Sequence, residues 1–148
     1  MNAPKNAGRR ENRIAAMQFL YMADMSRPAD TGAALAAFLE SKEKPRESFA
    51  FAEALVAGAL AHLPEIDAAI AKSAKNWAMD RIAKVDLAIL RLAVFELLFR
   101  DDIPPVVSIN EAIDLAKEFS SSEARRFVNG VLDNVKGTLS RPLRTPNK

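Results

Sequence analysis

Leu87-Ala88-Ile89-Leu90-Arg91-Leu92-Ala93-Val94-Phe95-Glu96-Leu97-Leu98-Phe99 is the stretch whose reading decides the fold. Only Arg91 and Glu96 interrupt its apolar character. A helix that is apolar nearly all round must be covered on most of its sides. This one is too short and too charged to cross a bilayer. It is therefore predicted to be the central helix of a bundle. Its two polar residues are expected to form a buried, hydrogen-bonded pair with each other.

Working outward, Asn76-Trp77-Ala78-Met79-Asp80 breaks the pattern ahead of this helix, with Asp80 as a candidate cap. Asp101-Asp102-Ile103-Pro104-Pro105 forms a turn after it. Ser108-Ile109-Asn110-Glu111 has the spacing of a capping box for a sixth helix, whose start could lie a turn earlier at Pro105. Ser120-Ser121-Ser122-Glu123 offers a second such box. The seventh helix carries Phe127, Val131, Val135 and Leu139 at four-residue steps. Toward the N-terminus, Ile14, Met17, Tyr21 and Met25 make one stripe of a first helix, which Arg27-Pro28 terminates. A second helix spans about residues 29–40. Phe49, Ala52, Val56, Ala59 and Leu63 mark a third, and Pro64 opens a fourth with Ile66 and Ile70 inward. The fold class is thus all-α: about seven helices in two packed subdomains and no sheet. Residues 1–8 read as a disordered basic N-terminus. Residues 9–139 form one helical domain, with bundles over about 9–76 and 77–139, and residues 140–148 a flexible basic tail.

Composition fits this reading. Of 148 residues, 49% are hydrophobic and only 5 are glycine, which supplies a core and favours helix over strand. The absence of Cys excludes disulfides and thiolate metal sites. With no secretory signal or membrane span, a cytoplasmic protein is expected. Lys5, Arg9, Arg10 and Arg13 gather at one end of the chain, and Lys136, Arg141, Arg144 and Lys148 at the other. Between them 13 basic residues face 18 acidic ones, so any polyanion contact is localised.

No catalytic set emerges. His62 is the single histidine, the five glycines are isolated, and no metal-ligand spacing occurs. Neither catalysis, metal nor cofactor is expected, nor a small-molecule substrate. What remains is binding chemistry. Arg9, Arg10 and Arg13 open the first helix, and Arg9 and Arg13, four apart, share a face. Arg125, Arg126 and Phe127 open the seventh. Arginine forks suit phosphate, and an aromatic ring at a rim can stack on an unpaired base. Phe127 also lies on the Val131 stripe, so core packing is the competing reading. Asn129-Gly130 is read structurally, Gly130 permitting a close helix approach.

Three strings carry a resemblance. Asp80–Leu98 is similar to the core helix of the NusB transcription-antitermination family. Ile103–Ala112 resembles the entry to that family's next helix, and Phe127-Val128-Asn129-Gly130-Val131-Leu132-Asp133 its most recognisable string. Weaker similarity covers 9–21 and 51–67. The resemblance implies a two-subdomain helical fold and an RNA-binding factor, not an enzyme. Such a factor recognises the boxA element of nascent ribosomal RNA together with the small-subunit ribosomal protein NusE. It joins an RNA polymerase antitermination complex containing NusA and NusG. By resemblance, Arg9, Arg10, Arg13, Glu123, Arg125, Arg126 and Phe127 face RNA, and Tyr21, Met25 and Asp86 face the ribosomal protein. A helical protein-interaction adaptor without direct RNA binding is the alternative. Here Glu11 and Asn12 interrupt the basic start, Ser120-Ser121-Ser122 replaces a Gly-containing turn, and Glu123 stands where the family often has Asp.

Overall fold

The computed structural model describes residues 6–75 and 77–146. Among these, seven α-helices and two short 3-10 turns account for the regular structure, and there is no strand. The helices are α1 (Arg9–Ser26), α2 (Thr31–Glu40), α3 (Ala50–Ala61), α4 (Leu63–Ser73), α5 (Lys84–Phe99), α6 (Pro105–Phe119) and α7 (Ser122–Lys136).

Local chemistry explains most boundaries. Arg27 takes a left-handed conformation (φ 47°) and its N–H donates to the Ala23 carbonyl, which closes α1 one residue before Pro28. The Asp30 side chain accepts from the Ala33 N–H and opens α2. Pro64 occupies the first turn of α4, where its missing N–H costs nothing. The Ser121 hydroxyl accepts from the Ala124 N–H at 3.0 Å and starts α7. Two expected caps are not used. Asp80 falls in the 3-10 turn Met79–Arg81, and α5 begins after Ala83 with no side-chain cap. Helix α6 begins at Pro105, which leaves Ser108 inside the helix with its hydroxyl free for another partner.

Helix α5 is the axis of the molecule. It packs against α1, α3, α4, α6 and α7. Leu87 to Leu97 are all buried except Arg91. A single apolar cluster runs from Ala15 on α1 to Val135 on α7, so the two halves of the chain share one core. The close-approach glycine is Gly58, not Gly130. A Cβ at Gly58 would collide with the Phe95 ring, whereas nothing lies within 4 Å of one at Gly130. Gly58 of α3 therefore leaves room for the Phe95 ring of α5 in the position it takes.

The polar residues of α5 do not pair with each other. Five residues apart on a helix, they point about 140° away from one another. Glu96 instead takes Arg13 of α1 in a two-pronged bond (Nε–Oε2 2.9 Å, Nη2–Oε1 2.8 Å) and accepts the Ser108 hydroxyl of α6 at 2.7 Å. Arg91 forms its own fork with Asp67 of α4, both bonds 2.9 Å, with Asp24 of α1 nearby at 3.4 Å. Burial works against the Arg91 charge, but Asp67 and Asp24 outweigh it and hold its pKa above the ordinary value.

The chain ends also differ from expectation. Residues 1–5 of the expected disordered start lie outside the described residues, but Ala7 packs on the core and Asn12 Nδ2 donates to the Gly8 carbonyl at 2.8 Å. The tail is fastened where flexibility is expected. Arg141, its side chain 7% exposed, donates to the carbonyls of Ile103, Leu97 and Glu96 at 2.8, 3.0 and 3.3 Å. The last carbonyls of a helix have no partners within it, and this guanidinium supplies them for α5. Residues 147–148 of the expected tail lie outside the described residues.

Candidate nucleic-acid interface

The ion pairs fix how α1 and α5 run. Arg13 near the start of α1 meets Glu96 near the end of α5. Asp24 near the end of α1 meets Lys84 at the start of α5. The two helices are antiparallel, and α7 begins beside the start of α5, where Glu123, Ala124 and Phe127 share a cleft with Asp86. The predicted RNA-facing residues therefore fall into two groups. Arg9, Arg10 and Arg13 lie at one end of α5, and Glu123, Arg125, Arg126 and Phe127 at the other. From residue 84 to residue 96 the separation is about 18 Å at 1.5 Å per residue.

At the first end the three arginines have three different situations. Arg9 is exposed and its guanidinium lies 4.2 Å from the centroid of the Phe51 ring, a cation–π contact. Arg10 is exposed but engaged, at 2.7 Å from Glu111 and 2.8 Å from Asp114 of α6. The bond to Glu111 leads in raising its pKa. Arg13 is a correction to the sequence reading: its side chain is 3% exposed and committed to Glu96, with Glu111 at 3.5 Å, so it has no surface to offer a phosphate. It lies four residues before Met17 and seven before Leu20, on the core-facing side of α1. Asn12 beside it is buried too, accepting from the Ala52 N–H at 2.8 Å and donating to the Ser48 carbonyl at 3.0 Å. The residue that interrupts the basic run thus joins α1 to α3.

The second end has the shape of a binding surface. Arg125 and Arg126 are exposed on the first turns of α7. Phe127 is half-buried: it packs on the core yet keeps part of its surface exposed, between the two roles expected of it. The buried face of α7 is Ala124, Val128, Val131, Leu132 and Val135, which places Phe127 at its margin. Trp77 packs against it with centroids 5.9 Å apart and planes at 68°, and is 52% exposed. Two recesses flank this pair. One, of about 260 Å³, is lined by Trp77, Arg81, Asp86, Ser121, Glu123 and Phe127 among others. The other, of about 280 Å³, opens toward Lys75, Arg126 and Asn134. Trp77 escapes a sequence reading that treats its segment only as a break in the helical pattern. A lone tryptophan in a polar connection is the signal that could have found it.

Of the predicted protein-facing residues, Tyr21 and Met25 are exposed on the end of α1, at 39% and 59%. Asp86 is 8% exposed and sunk in the cleft rather than presented on a surface. The described residues contain no cluster of three or more His, Asp or Glu side chains placed to hold a metal ion. Nor is any single described helix long and apolar enough to cross a membrane.

Comparison with known proteins agrees with this architecture. The NusB family model matches residues 10–137. The chain is 47% identical over 131 residues to the transcription antitermination protein NusB of Bacillus subtilis (strain 168), covering 88% of this chain and 96% of that one. It is 45% identical over 133 residues to its counterpart in Geobacter sulfurreducens, covering 88% and 95%. Among solved structures, NusB of T. maritima superposes with a TM-score of 0.83 at 31% identity, over 93% of this chain and 96% of that one. A chain from a crystal structure of the antitermination factors NusB and NusE in complex with double-stranded RNA gives 0.80 at 31% identity, over 88% and 97%. With a family model spanning nearly all of α1 to α7 and relatives of this identity along most of their length, the chain belongs to the NusB family.

Proposed function

We propose that this protein is an RNA-binding transcription antitermination factor that recognises boxA in nascent ribosomal RNA together with the ribosomal protein NusE, and joins the RNA polymerase antitermination complex with NusA and NusG. It acts in the cytoplasm, by binding alone and without catalysis. The observation that carries the reading is the start of α7, where Arg125 and Arg126 are exposed and Arg126 shares a recess with the Trp77–Phe127 pair. Arginine forks neutralise phosphates and position a strand, while aromatic faces hold unstacked bases. The likeness to a NusB chain crystallised with NusE and RNA supports it. Arg9 at the far end of α5 supplies a second phosphate contact for the same strand. Tyr21 and Met25 offer an amphipathic and an apolar side chain to the protein partner, and Asp86 adds a carboxylate in the cleft at the start of α5.

The test is filter binding of boxA RNA and of a scrambled strand, with and without NusE. Binding should favour boxA and tighten when NusE is present. Phe127→Leu keeps apolar volume but removes the stacking ring, and should weaken boxA by about 1–3 kcal/mol with little change in melting. Binding to NusE without measurable RNA affinity in either condition would instead make the chain a protein adaptor.

A further inference from the structure

We propose that Glu111 and Asp114 of α6 compete with phosphate for Arg10, forming an autoinhibitory latch that RNA must open before it can use that arginine. The inference rests on the RNA-binding reading above and concerns the end of α5 remote from Trp77 and Phe127. Arg10 directs one guanidinium nitrogen, Nη2, to Oε2 of Glu111 at 2.7 Å and to Oδ2 of Asp114 at 2.8 Å. The acids lie 101 and 104 residues further along the chain, so the fold makes this contact and not the spacing along one helix. Carboxylate oxygens accept from a guanidinium in the same charge-assisted way that phosphate oxygens do. The two acids therefore occupy the place a phosphate would take.

The surrounding charge favours the closed latch. Arg13 is committed to Glu96 and stands 3.5 Å from Glu111. In this linked set three carboxylates, Glu96, Glu111 and Asp114, face two guanidiniums, Arg10 and Arg13. A phosphate that approaches Arg10 thus meets surplus negative charge beside its cation. The latch can still open. The Arg10 and Asp114 side chains are 58% and 50% exposed, and ion pairs this exposed to water are weak. Glu111 is the anchored half, at 19% exposure and within reach of Arg13. Asp114 is the half that yields. Every strand meets this competition, and a strand also held by Trp77 and Phe127 has further contacts with which to overcome it.

Fluorescence anisotropy of the full chain with labelled boxA RNA and a scrambled strand tests the latch in the wild type, Asp114→Asn, Arg10→Ala and the double variant. Asp114→Asn keeps the side-chain shape but removes its charge. At about 0.15 M salt it should tighten both strands by roughly two- to fivefold, the span of an exposed ion pair, with melting unchanged. Arg10→Ala should weaken both strands alike, because phosphate contacts carry no sequence. In the double variant the gain from Asp114→Asn should disappear, since that gain passes through Arg10. A gain that survives without Arg10 is general charge repulsion and overturns the latch. Equal affinities of the wild type and Asp114→Asn also overturn it, and leave the RNA reading standing as long as the wild type binds boxA. No binding of either strand by the wild type removes both readings.

Discussion

Removing the Glu96 carboxylate should strip the molecule of its most deeply buried charge pair. The Arg13 and Glu96 side chains are 3% and 2% exposed, joined by bonds of 2.9 and 2.8 Å, and Glu96 also takes the Ser108 hydroxyl. In Glu96→Ala the guanidinium keeps only Glu111 at 3.5 Å, and Ser108 Oγ is stranded in the core. Breaking a buried pair by deleting one partner costs about 3–5 kcal/mol, because the remaining charge stays desolvated and unpaired. At about 2–4 °C per kcal/mol for a domain of this size, melting should fall by roughly 6–20 °C. Total stability of a domain is about 5–15 kcal/mol, so urea titration is the safer reading. Glu96→Gln, which keeps hydrogen-bonding capacity, should lose less. The double variant Arg13→Met/Glu96→Leu replaces the pair with apolar volume and should recover most of the loss. It should also leave the salt dependence of RNA binding untouched, since Arg13 reaches no phosphate. A cost below about 1 kcal/mol for Glu96→Ala would refute the reasoning, and so would a smaller salt slope in the double variant.

Gly58→Ala should destabilise by about 1–3 kcal/mol in thermal melts, because its Cβ meets the Phe95 ring and the ring has to leave its packed position; Gly130→Ala, with open space, should not. Arg126→Ala should reduce the log–log salt slope of single-stranded RNA binding by about 0.7 and weaken boxA and scrambled strands equally. Tyr21→Ala should weaken NusE binding in a calorimetric titration without lowering the melting temperature, since the ring is 39% exposed. Asp102, held below its ordinary pKa chiefly by its hydrogen bond from Arg100, contributes stability that is present above the unfolded carboxylate pKa and lost as pH falls through the folded one. In Arg100→Ala that acid-limb contribution should vanish from the stability–pH curve, while stability between pH 5 and 7 keeps a constant slope relative to the wild type.

The part of this fold that sequence discloses is the part governed by burial along one element. Helix α5 shows its central place because nearly every face is apolar, and α1, α3 and α4 show theirs through stripes of regular spacing. Partners across helices are another matter. Arg91 and Glu96 stand close in the chain, yet the helix turns them apart, and their true partners Asp67 and Arg13 lie 24 and 83 residues away. The same blindness governs the interface. Three arginines crowd the start of α1, but the rotation that sets Met17 and Leu20 in the core also draws Arg13 inward, so basic sequence and basic surface differ by one residue. Trp77 stands at the opposite extreme, alone in a segment without periodicity, and gains significance only when α7 brings Phe127 within 5.9 Å. Charge on a helix thus indicates a binding role only after the inward face is known. In this molecule that face is set by α5, so the helix that specifies the fold also decides which arginines stay exposed.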